Sequence, residues 1–290
     1  MKIFAPKYYK DFVCIAEKCK HSCCIGWEID IDNNTIDKYE SLNDDFKIQI
    51  LTSIDFSEQP HFKLALNDRC PHLNENGLCK IIKNVGEEYL CDICREHPRF
   101  YNYTNCGKEV GIGMSCEEAC RIILNSDDFD SYVLLNEDEK IPEIIDFDAL
   151  AHRETVFKII KDRNLAFEAK IDILCDYFDL YFDEKTISKI IPKLEYLKPS
   201  HKEIFMKFSL KAHDANISLK IERALAYFVY RHCTEAESFD EFSTALSLAI
   251  FCTYLISSIS SAANIEDMAR IVSEEIEYSQ DNIELIKSLF

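Results

Sequence analysis

Glycine is scarce in this chain of 290 residues: six occur, and none lies beyond Gly113. Glycine provides the positive φ angles that tight turns and close backbone contacts need. The 177 residues after Gly113 therefore lack the signals of a turn-rich fold. We expect them to form helices joined by polar or proline-containing connections.

Long apolar segments are also missing. The longest candidate, residues 245–259, is interrupted by serine and threonine, whereas a membrane-spanning helix needs about 18 or more apolar residues. The opening MKIFAPKYYKDF has a basic start, but it has neither the apolar stretch nor the small-residue cleavage site of a secretory signal. These features predict a cytoplasmic protein with no membrane partner.

Acidic residues outnumber basic residues, and the formal net charge is −19. Such a charge repels a phosphate backbone, and no basic stripe is long enough to override it, so nucleic acid is not expected as a partner. An acidic surface would favour encounter with a lysine-bearing partner, but we prefer the simpler interpretation that the charge serves solubility.

Cysteine, by contrast, is abundant and clustered: 11 of the 14 cysteines lie in the first 120 residues. Disulfides are rare in a reducing compartment, where grouped thiols more often bind metal or carry out redox chemistry. One group is Cys14-x4-Cys19-x3-Cys23-Cys24, and the other contains Cys70, Cys79 and Cys91-x2-Cys94.

These two groups predict a metal centre. Cys-x2-Cys spacing lets two thiolates reach one metal, and distant cysteines complete the ligand set. Four ligands make one site and eight could make two. The predicted metal ligands are the eight cysteines of the two groups: Cys14, Cys19, Cys23, Cys24, Cys70, Cys79, Cys91 and Cys94.

The identity of the metal has two alternatives. Structural zinc usually uses repeated Cys-x2-Cys knuckles, and only Cys91 and Cys94 fit that pattern. The irregular spacing at residues 14–24 favours an iron–sulfur cluster, with zinc as the alternative; it does not match the Cys-x3-Cys-x2-Cys triad of radical enzymes. Outside the two groups, Cys175, Cys233 and Cys252 are expected in the core, whereas Cys106, Cys116 and Cys120 are left open.

The predicted fold is mainly α, with a Cys-rich metal-binding N-terminal domain that carries a small β-hairpin, followed by a helical domain. We place the metal-binding domain at residues 1–125, an acidic connection at 126–148 and five to seven antiparallel helices in 149–290. The hairpin is expected at 99–112, because ArgPheTyrAsnTyrThr and LysGluValGlyIle flank a turn around Gly107.

Longer stretches of the sequence carry a family resemblance. The opening MKIFAPKYYKDFVCIAEKCKHSCCIGWEIDID, with CPHLNENGLC, YLCDICREHPRFYN and VGIGMSCEEACRIIL, resembles the bacterial flagellin lysine-N-methylase family. The Cys-rich half is also similar to a broader group of zinc- or iron-chelating domains. The resemblance covers roughly the first 125 residues, and the helical part matches in general character only.

The resemblance implies methylation of surface lysines on flagellin, or on another protein with exposed lysines. It implies S-adenosylmethionine as the methyl donor and an iron–sulfur cluster, 4Fe-4S in type, held by some of the eight cysteines. Arg95, Pro98 and Arg99 fall on the family's motif after the paired cysteines.

The usual nucleotide-fold site for the donor is missing from the sequence, because no strand is followed by a Gly-x-Gly loop. A cluster iron without a cysteine ligand is one way to hold the donor's methionine moiety. Candidate donor-binding residues are Trp27, Arg95 and Arg99, although Trp27 is more readily explained as a core anchor.

A substrate-lysine channel is the corresponding hypothesis for the hairpin. Tyr101, Tyr103 and Glu109 are its candidate lining residues, although aromatic residues on a hairpin more often pack across strands. Three functions compete: a cluster-dependent lysine methyltransferase, a metal-binding or electron-carrying module without transferase activity, and a zinc-stabilised scaffold. We rank them in that order.

Overall fold

The computed structural model describes residues 2–43, 45–104, 107–136, 148–210 and 215–289. Within these residues the chain forms two compact units. One is Val13–Pro98, called here the cysteine unit. The other combines Met1–Phe12 with Arg99–Phe290 and is called the helical unit.

The strands, in chain order, are β1 (Ile3–Pro6), β2 (Ile54–Asp55), β3 (His61–Phe62), β4 (Arg99–Thr104), β5 (Gly107–Ile112) and β6 (Tyr132–Asn136). The α-helices, in chain order, are α1 (Asn33–Ser41), α2 (Asp45–Thr52), α3 (Lys80–Val85), α4 (Asp92–Glu96), α5 (Glu117–Asn125), α6 (Ala149–Lys161), α7 (Phe167–Phe178), α8 (Glu184–Ile190), α9 (Pro199–Phe205), α10 (Ser218–His232), α11 (Phe239–Ile259), α12 (Ile265–Ile276) and α13 (Gln280–Lys287). The mainly α prediction is confirmed.

The helical unit contains a four-stranded sheet in the order β4-β5-β1-β6. The strands β4 and β5 form the predicted hairpin, with Asn102 opposite Glu109. The strand β1 lies parallel to β5 and antiparallel to β6. The turn residues 105–106, Cys106 included, lie outside the described residues.

This pairing changes the domain organisation that the sequence suggests. Because β1 lies between β5 and β6, the first residues belong to the helical unit, and the cysteine unit is inserted between β1 and β4. The division therefore differs from the predicted boundary at residue 125. Within the predicted acidic connection, β6 pairs with β1, and residues 137–147 lie outside the described residues.

Helix starts follow local capping rules. The Asp32 carboxylate accepts a hydrogen bond from the Thr35 amide at 2.9 Å and caps α1, as its position before the predicted helix indicates. In the helical unit, the Ser238 hydroxyl caps α11 by accepting from the Glu241 amide. Ser238 takes this position because its backbone is still extended, and Asp240 lies in the first turn.

The core of the helical unit is built around α10 and α11, with Phe228, Phe242, Phe251 and Leu255 fully buried. Cys233 and Cys252 are buried there too, as predicted for core cysteines. The helix α11 has 21 residues, and an 18-residue stretch of it has a mean hydropathy of 1.7, long and apolar enough to cross a membrane; 72% of that stretch is buried within the protein. Burial of this kind is typical of the central helix of a folded core.

The cysteine unit has its own, smaller core, formed by residues such as Ile31, Tyr39, Ile50 and Phe62. Trp27 packs against this core in a half-buried position, which matches the core-anchor interpretation. Cys79, Cys91 and Cys94 border the same core. Three of the eight predicted ligands therefore lie at the apolar centre of their unit.

Candidate metal centre

Five of the eight predicted ligands come together in the cysteine unit. The Cys70 amide donates to the Cys24 carbonyl oxygen at 2.8 Å, which brings the two sequence groups side by side. Cys79 is the N-cap residue of α3, and Cys91 is the N-cap residue of α4. Cys94 lies one turn later in α4, so its thiol and that of Cys91 hydrogen-bond to each other.

The thiol charges of these five residues influence one another. The pKa of Cys70 is raised to about 11 by burial, with further contributions from the thiols of Cys24, Cys79 and Cys91. Burial also raises the pKa of Cys79, and the charges of Cys24 and Cys91 add to the effect. The set Cys24, Cys70, Cys79, Cys91 and Cys94 is called here the thiol cluster.

Two members of the thiol cluster have lowered pKa values, which favours the thiolate form. A hydrogen bond from Cys23 lowers the pKa of Cys24 to about 7, and burial opposes this while Ser22 and the Arg69 guanidinium support it. The pKa of Cys91 is lowered because Cys94 donates a hydrogen bond to it, and the pKa of Cys94 is raised by the same bond. Thiolate is the form that binds metal.

A buried tyrosine faces this cluster. Tyr39 is fully buried in α1, and its hydroxyl has no hydrogen-bond partner among the described residues. Burial raises the pKa of Tyr39, and the charges of Cys91, Cys94 and Cys79 raise it further. The tyrosine is therefore a neutral hydroxyl donor beside three thiols. A buried donor without an acceptor is costly, so an electron-rich acceptor beside this hydroxyl would stabilise the unit.

Asp32 fixes the start of α4 next to α1. Its carboxylate accepts from the Asp92 amide at 3.0 Å in addition to capping α1. Burial acts to raise the pKa of Asp32, but the hydrogen bonds from Asp92 and Thr35 outweigh it and lower the pKa. Sequence reasoning used Asp32 only as a helix boundary and did not single out Tyr39. The one available signal was helical spacing, which places Tyr39 on the same face as buried Thr35.

The remaining predicted ligands differ in environment. Cys14 and Cys23 are exposed, and Cys19 is half-buried. Across the residues described, no three His, Cys, Asp or Glu side chains are arranged as a set that could hold a metal ion. The thiol cluster is thus an assembly of neighbouring thiols, and the ligand set is still a prediction.

The basic residues near the cysteines divide between the two units. Arg69 acts on Cys24 as described. Arg95 is exposed and forms ion pairs with Asp92 and Glu96. Arg99 lies in the helical unit, where its guanidinium donates to the Tyr9 hydroxyl at 2.9 Å and lies 5.8 Å from the Phe12 ring centroid. Arg95 and Arg99 were both predicted to bind the methyl donor, and both side chains already contact other residues of the protein.

The candidate channel residues occupy different faces of the hairpin. Tyr101 and Tyr103 are exposed, and the Lys108 ammonium lies 3.7 Å from the centroid of the Tyr101 ring. Glu109 points the other way and is buried, with both carboxylate oxygens bonded to the Arg153 guanidinium at 2.6 and 2.8 Å. Glu109 therefore contributes to the interior of the helical unit. A catalytic role for Tyr101, Tyr103 and Glu109 stays a prediction.

Comparison with known proteins shows where the chain belongs. No family model and no solved structure matches it. The lysine-N-methylase of Salmonella typhimurium is 27% identical over 137 residues, which cover 42% of this chain and 32% of that protein. The flagellar biosynthetic protein FliU of Salmonella muenchen is 30% identical over 132 residues, which cover 42% of this chain and 77% of FliU. The chain belongs to the FliU family.

A second lysine-N-methylase, from Salmonella choleraesuis, matches with the same identity and coverage. The matched part of the chain spans about a third of the length of these lysine-N-methylases. Homology to FliU and to proteins named lysine-N-methylase supports the relationship that the cysteine motifs predict. The activity, substrate and cofactors of this FliU-family chain are not fixed by a match of that extent.

Proposed function

We propose that this chain is a protein lysine N-methyltransferase, or the corresponding part of one, which acts on flagellin or on another protein with exposed lysines. Its methyl donor is S-adenosylmethionine, and its cysteine unit binds an iron–sulfur cluster. Support for the activity comes from relatives named lysine-N-methylase and flagellar biosynthetic protein. Support for the metal comes from the residues of the thiol cluster.

The thiol cluster suits an iron–sulfur cluster in its chemistry. Iron–sulfur clusters are held by thiolates, commonly four, and are tuned by hydrogen bonds to their sulfur atoms. Five thiols are available, and Tyr39 offers a buried hydroxyl that has no acceptor among the described residues. This hydroxyl, beside thiols that influence one another electrostatically, is the observation that carries the metal proposal.

The reaction needs a neutral lysine in line with the donor's methyl group. The lysine nitrogen forms a bond to the methyl carbon as the bond from that carbon to the sulfonium sulfur breaks. S-adenosylhomocysteine leaves, and the nitrogen releases one proton to water or to a base. The iron–sulfur cluster would not change oxidation state in this step.

The first experiment purifies the full chain without oxygen and measures iron, sulfide and zinc, with a visible absorption spectrum. The protein is then incubated with S-adenosylmethionine and flagellin, and methylated lysines are located by mass spectrometry. Matched iron and sulfide together with methyl-lysine are expected. Metal-loaded protein that leaves flagellin and a lysine-rich protein pool unmethylated would refute the transferase activity.

Cysteine variants test the thiol cluster. Cys70→Ser and Cys79→Ser are expected to lose most of the bound iron, because each removes a thiol from the cluster. Cys14→Ser changes an exposed cysteine, and Cys175→Ser, in α7, is the matched control; both should retain iron. Equal iron in all four variants would show that Cys70 and Cys79 are not metal ligands.

The alternative is a metal-binding protein without transferase activity. One observation favours it: the matched region covers only 32% of the proteins named lysine-N-methylase, so the match leaves most of their length without a counterpart. Stoichiometric zinc in a colourless protein, with no methylation of any substrate, is the result that this alternative predicts.

A further inference from the structure

A cleft of about 700 Å³ lies in the helical unit, along one face of α6 and the start of β6. Its volume falls in the range of ordinary small-molecule sites. Tyr132 and Phe157 contribute aromatic surface to its wall, and Arg153, Glu154 and Lys158 contribute charge. All of these residues belong to the helical unit, and none of them belongs to the thiol cluster.

Two opposite charges in this cleft have no partner among the described residues. Glu154 and Lys158 are four positions apart on α6 and exposed, a spacing that favours an ion pair. The described ion pairs nevertheless include neither of them. Lys161, one turn further on, shows the contrast, because its ammonium pairs with Asp130 at 2.6 Å. The free pair offers one positive and one negative group to a ligand.

The inner wall of the cleft is held in place by stacked side chains. The Tyr132 ring stacks on Tyr230 with centroids 5.8 Å apart, and the Arg153 guanidinium lies 5.1 Å from the centroid of each ring. Glu109 fixes Arg153 through two hydrogen bonds. The buried Tyr132 hydroxyl has no hydrogen-bond partner among the described residues, and burial raises its pKa, which keeps it a neutral donor.

We propose that this cleft binds S-adenosylmethionine, an inference that rests on the methyltransferase activity proposed above. The donor combines a flat aromatic base with an amino-acid end that carries both charges. Lys158 suits its carboxylate and Glu154 its ammonium group, while Tyr132 and Phe157 offer aromatic surface for adenine. The Tyr132 hydroxyl provides a hydrogen bond to a polar atom of the donor. Ligation of the donor by a cluster iron is the competing arrangement.

The test measures binding of S-adenosylmethionine and of its product, S-adenosylhomocysteine, to the full chain by titration calorimetry. Lys158→Glu is expected to raise the Kd about tenfold or more, because it replaces a charge-assisted contact with repulsion. Tyr132→Phe is expected to raise it by about 2–10-fold, the effect of one hydrogen bond. Lys189→Glu, on an exposed position of α8, is the matched charge reversal and should leave the Kd unchanged. Thermal melts of the ligand-free variants establish that each one is folded.

Three results would overturn the assignment of the cleft. The first is the absence of binding to the folded wild-type protein. The second is an unchanged Kd in both Lys158→Glu and Tyr132→Phe. The third is loss of product binding in metal-free Cys70→Ser, because a cleft in the helical unit should bind without the cluster. If methylation occurs and the two cleft variants bind the donor normally, the proposed function stands and this inference fails. If the cleft binds the donor but no protein is methylated, this inference stands and the proposed function fails.

Discussion

The two units treat their buried polar groups differently. In the helical unit, buried charged side chains are matched with partners: Lys170 with Glu222 at 2.5 Å, and Arg153 with Glu109 at 2.6 Å. In the cysteine unit, the centre holds buried Cys91, half-buried thiols beside it and a tyrosine hydroxyl without an acceptor. The helical unit thus pairs these buried charges with each other, whereas the centre of the cysteine unit is made of thiols and one unpaired hydroxyl.

This contrast indicates what each unit needs in order to be stable. The helical unit has a large apolar core around α10 and α11 and paired charges, so its folding is expected not to depend on a metal. The cysteine unit has a small core, and small cores gain much of their stability from bound metal.

Metal removal is expected to have the largest effect, and to have it in one unit only. After chelation of the bound metal, the amides of residues 13–98 should lose hydrogen-exchange protection, while those of α10 and α11 keep theirs. Hydrogen exchange read by mass spectrometry follows both units in one molecule, so the helical unit is the internal control. Equal loss in both units, or no loss in either, would contradict the comparison.

Breaking the Glu109–Arg153 pair should strongly destabilise the helical unit. Glu109→Ala leaves the Arg153 guanidinium buried without its carboxylate, which is expected to cost about 3–5 kcal/mol. Urea unfolding measures the loss. Replacing both residues, Glu109→Leu with Arg153→Met, should recover much of it, because no charge is then left buried. A single variant as stable as the wild type would show that the pair contributes little.

Acid should weaken the helical unit through Glu277 and His232. Burial acts to raise the pKa of Glu277, but Arg231 and His232 outweigh it and lower the pKa below 4.5. Its stabilisation is therefore complete above pH 4.5 and is lost as the pH falls through the lowered value. Burial lowers the pKa of His232 below 6.5, so stability begins to fall once the pH drops below 6.5, where the unfolded chain takes up the proton first.

Glu277→Gln isolates the contribution of the carboxylate. At pH 7 the variant should lose about 1.5–3 kcal/mol, since Arg231 and His232 keep only a neutral partner. Below pH 4.5 its stability should change less steeply with pH than that of the wild type. Thermal melts from about pH 3 to about pH 8, in steps of about one pH unit, measure both effects. Parallel pH curves for the two proteins would show that Glu277 does not titrate with folding.

Helix caps give a smaller, matched comparison between the units. Asp32→Ala removes the cap of α1 and the acceptor for the Asp92 amide, and Asp183→Ala removes the cap of α8. Each should cost about 1 kcal/mol in its own unit. Only Asp32→Ala should also lower the metal content, because Asp32 places the turn that carries Cys91. Equal metal in the two variants would separate Asp32 from the thiol cluster.

Tyr39→Phe should have the smallest effect on stability. In metal-free protein the change should be near zero or slightly stabilising, because the hydroxyl it removes is buried without a partner. Tyr196→Phe is the control, since the Tyr196 hydroxyl donates to the Ile191 carbonyl oxygen at 2.6 Å and its loss should cost about 1 kcal/mol. In metal-loaded protein Tyr39→Phe should release the metal faster. An unchanged rate of release would show that the hydroxyl does not contact the bound group.

The local parts of the structure could be predicted from the sequence. The sequence predicted helices beyond residue 149 and, from the residues around Gly107, the β4–β5 hairpin, because such elements depend on neighbours within a few positions. The core role of Cys233 and Cys252 followed from their places on helical patterns. The grouping of the cysteines was visible as well, because it is a property of spacing and composition.

Contacts between distant residues were decided only by the tertiary structure. Strand β1 pairs with β5, which makes the cysteine unit an insertion, and no local signal encodes that parallel pairing. The burial of Glu109 depends on its pairing with Arg153, 44 positions away, which no local pattern shows. The thiol cluster and Tyr39 likewise meet only when separate segments fold together. Sequence alone therefore determined which residues can carry the chemistry, and the tertiary structure decided which of them lie close together.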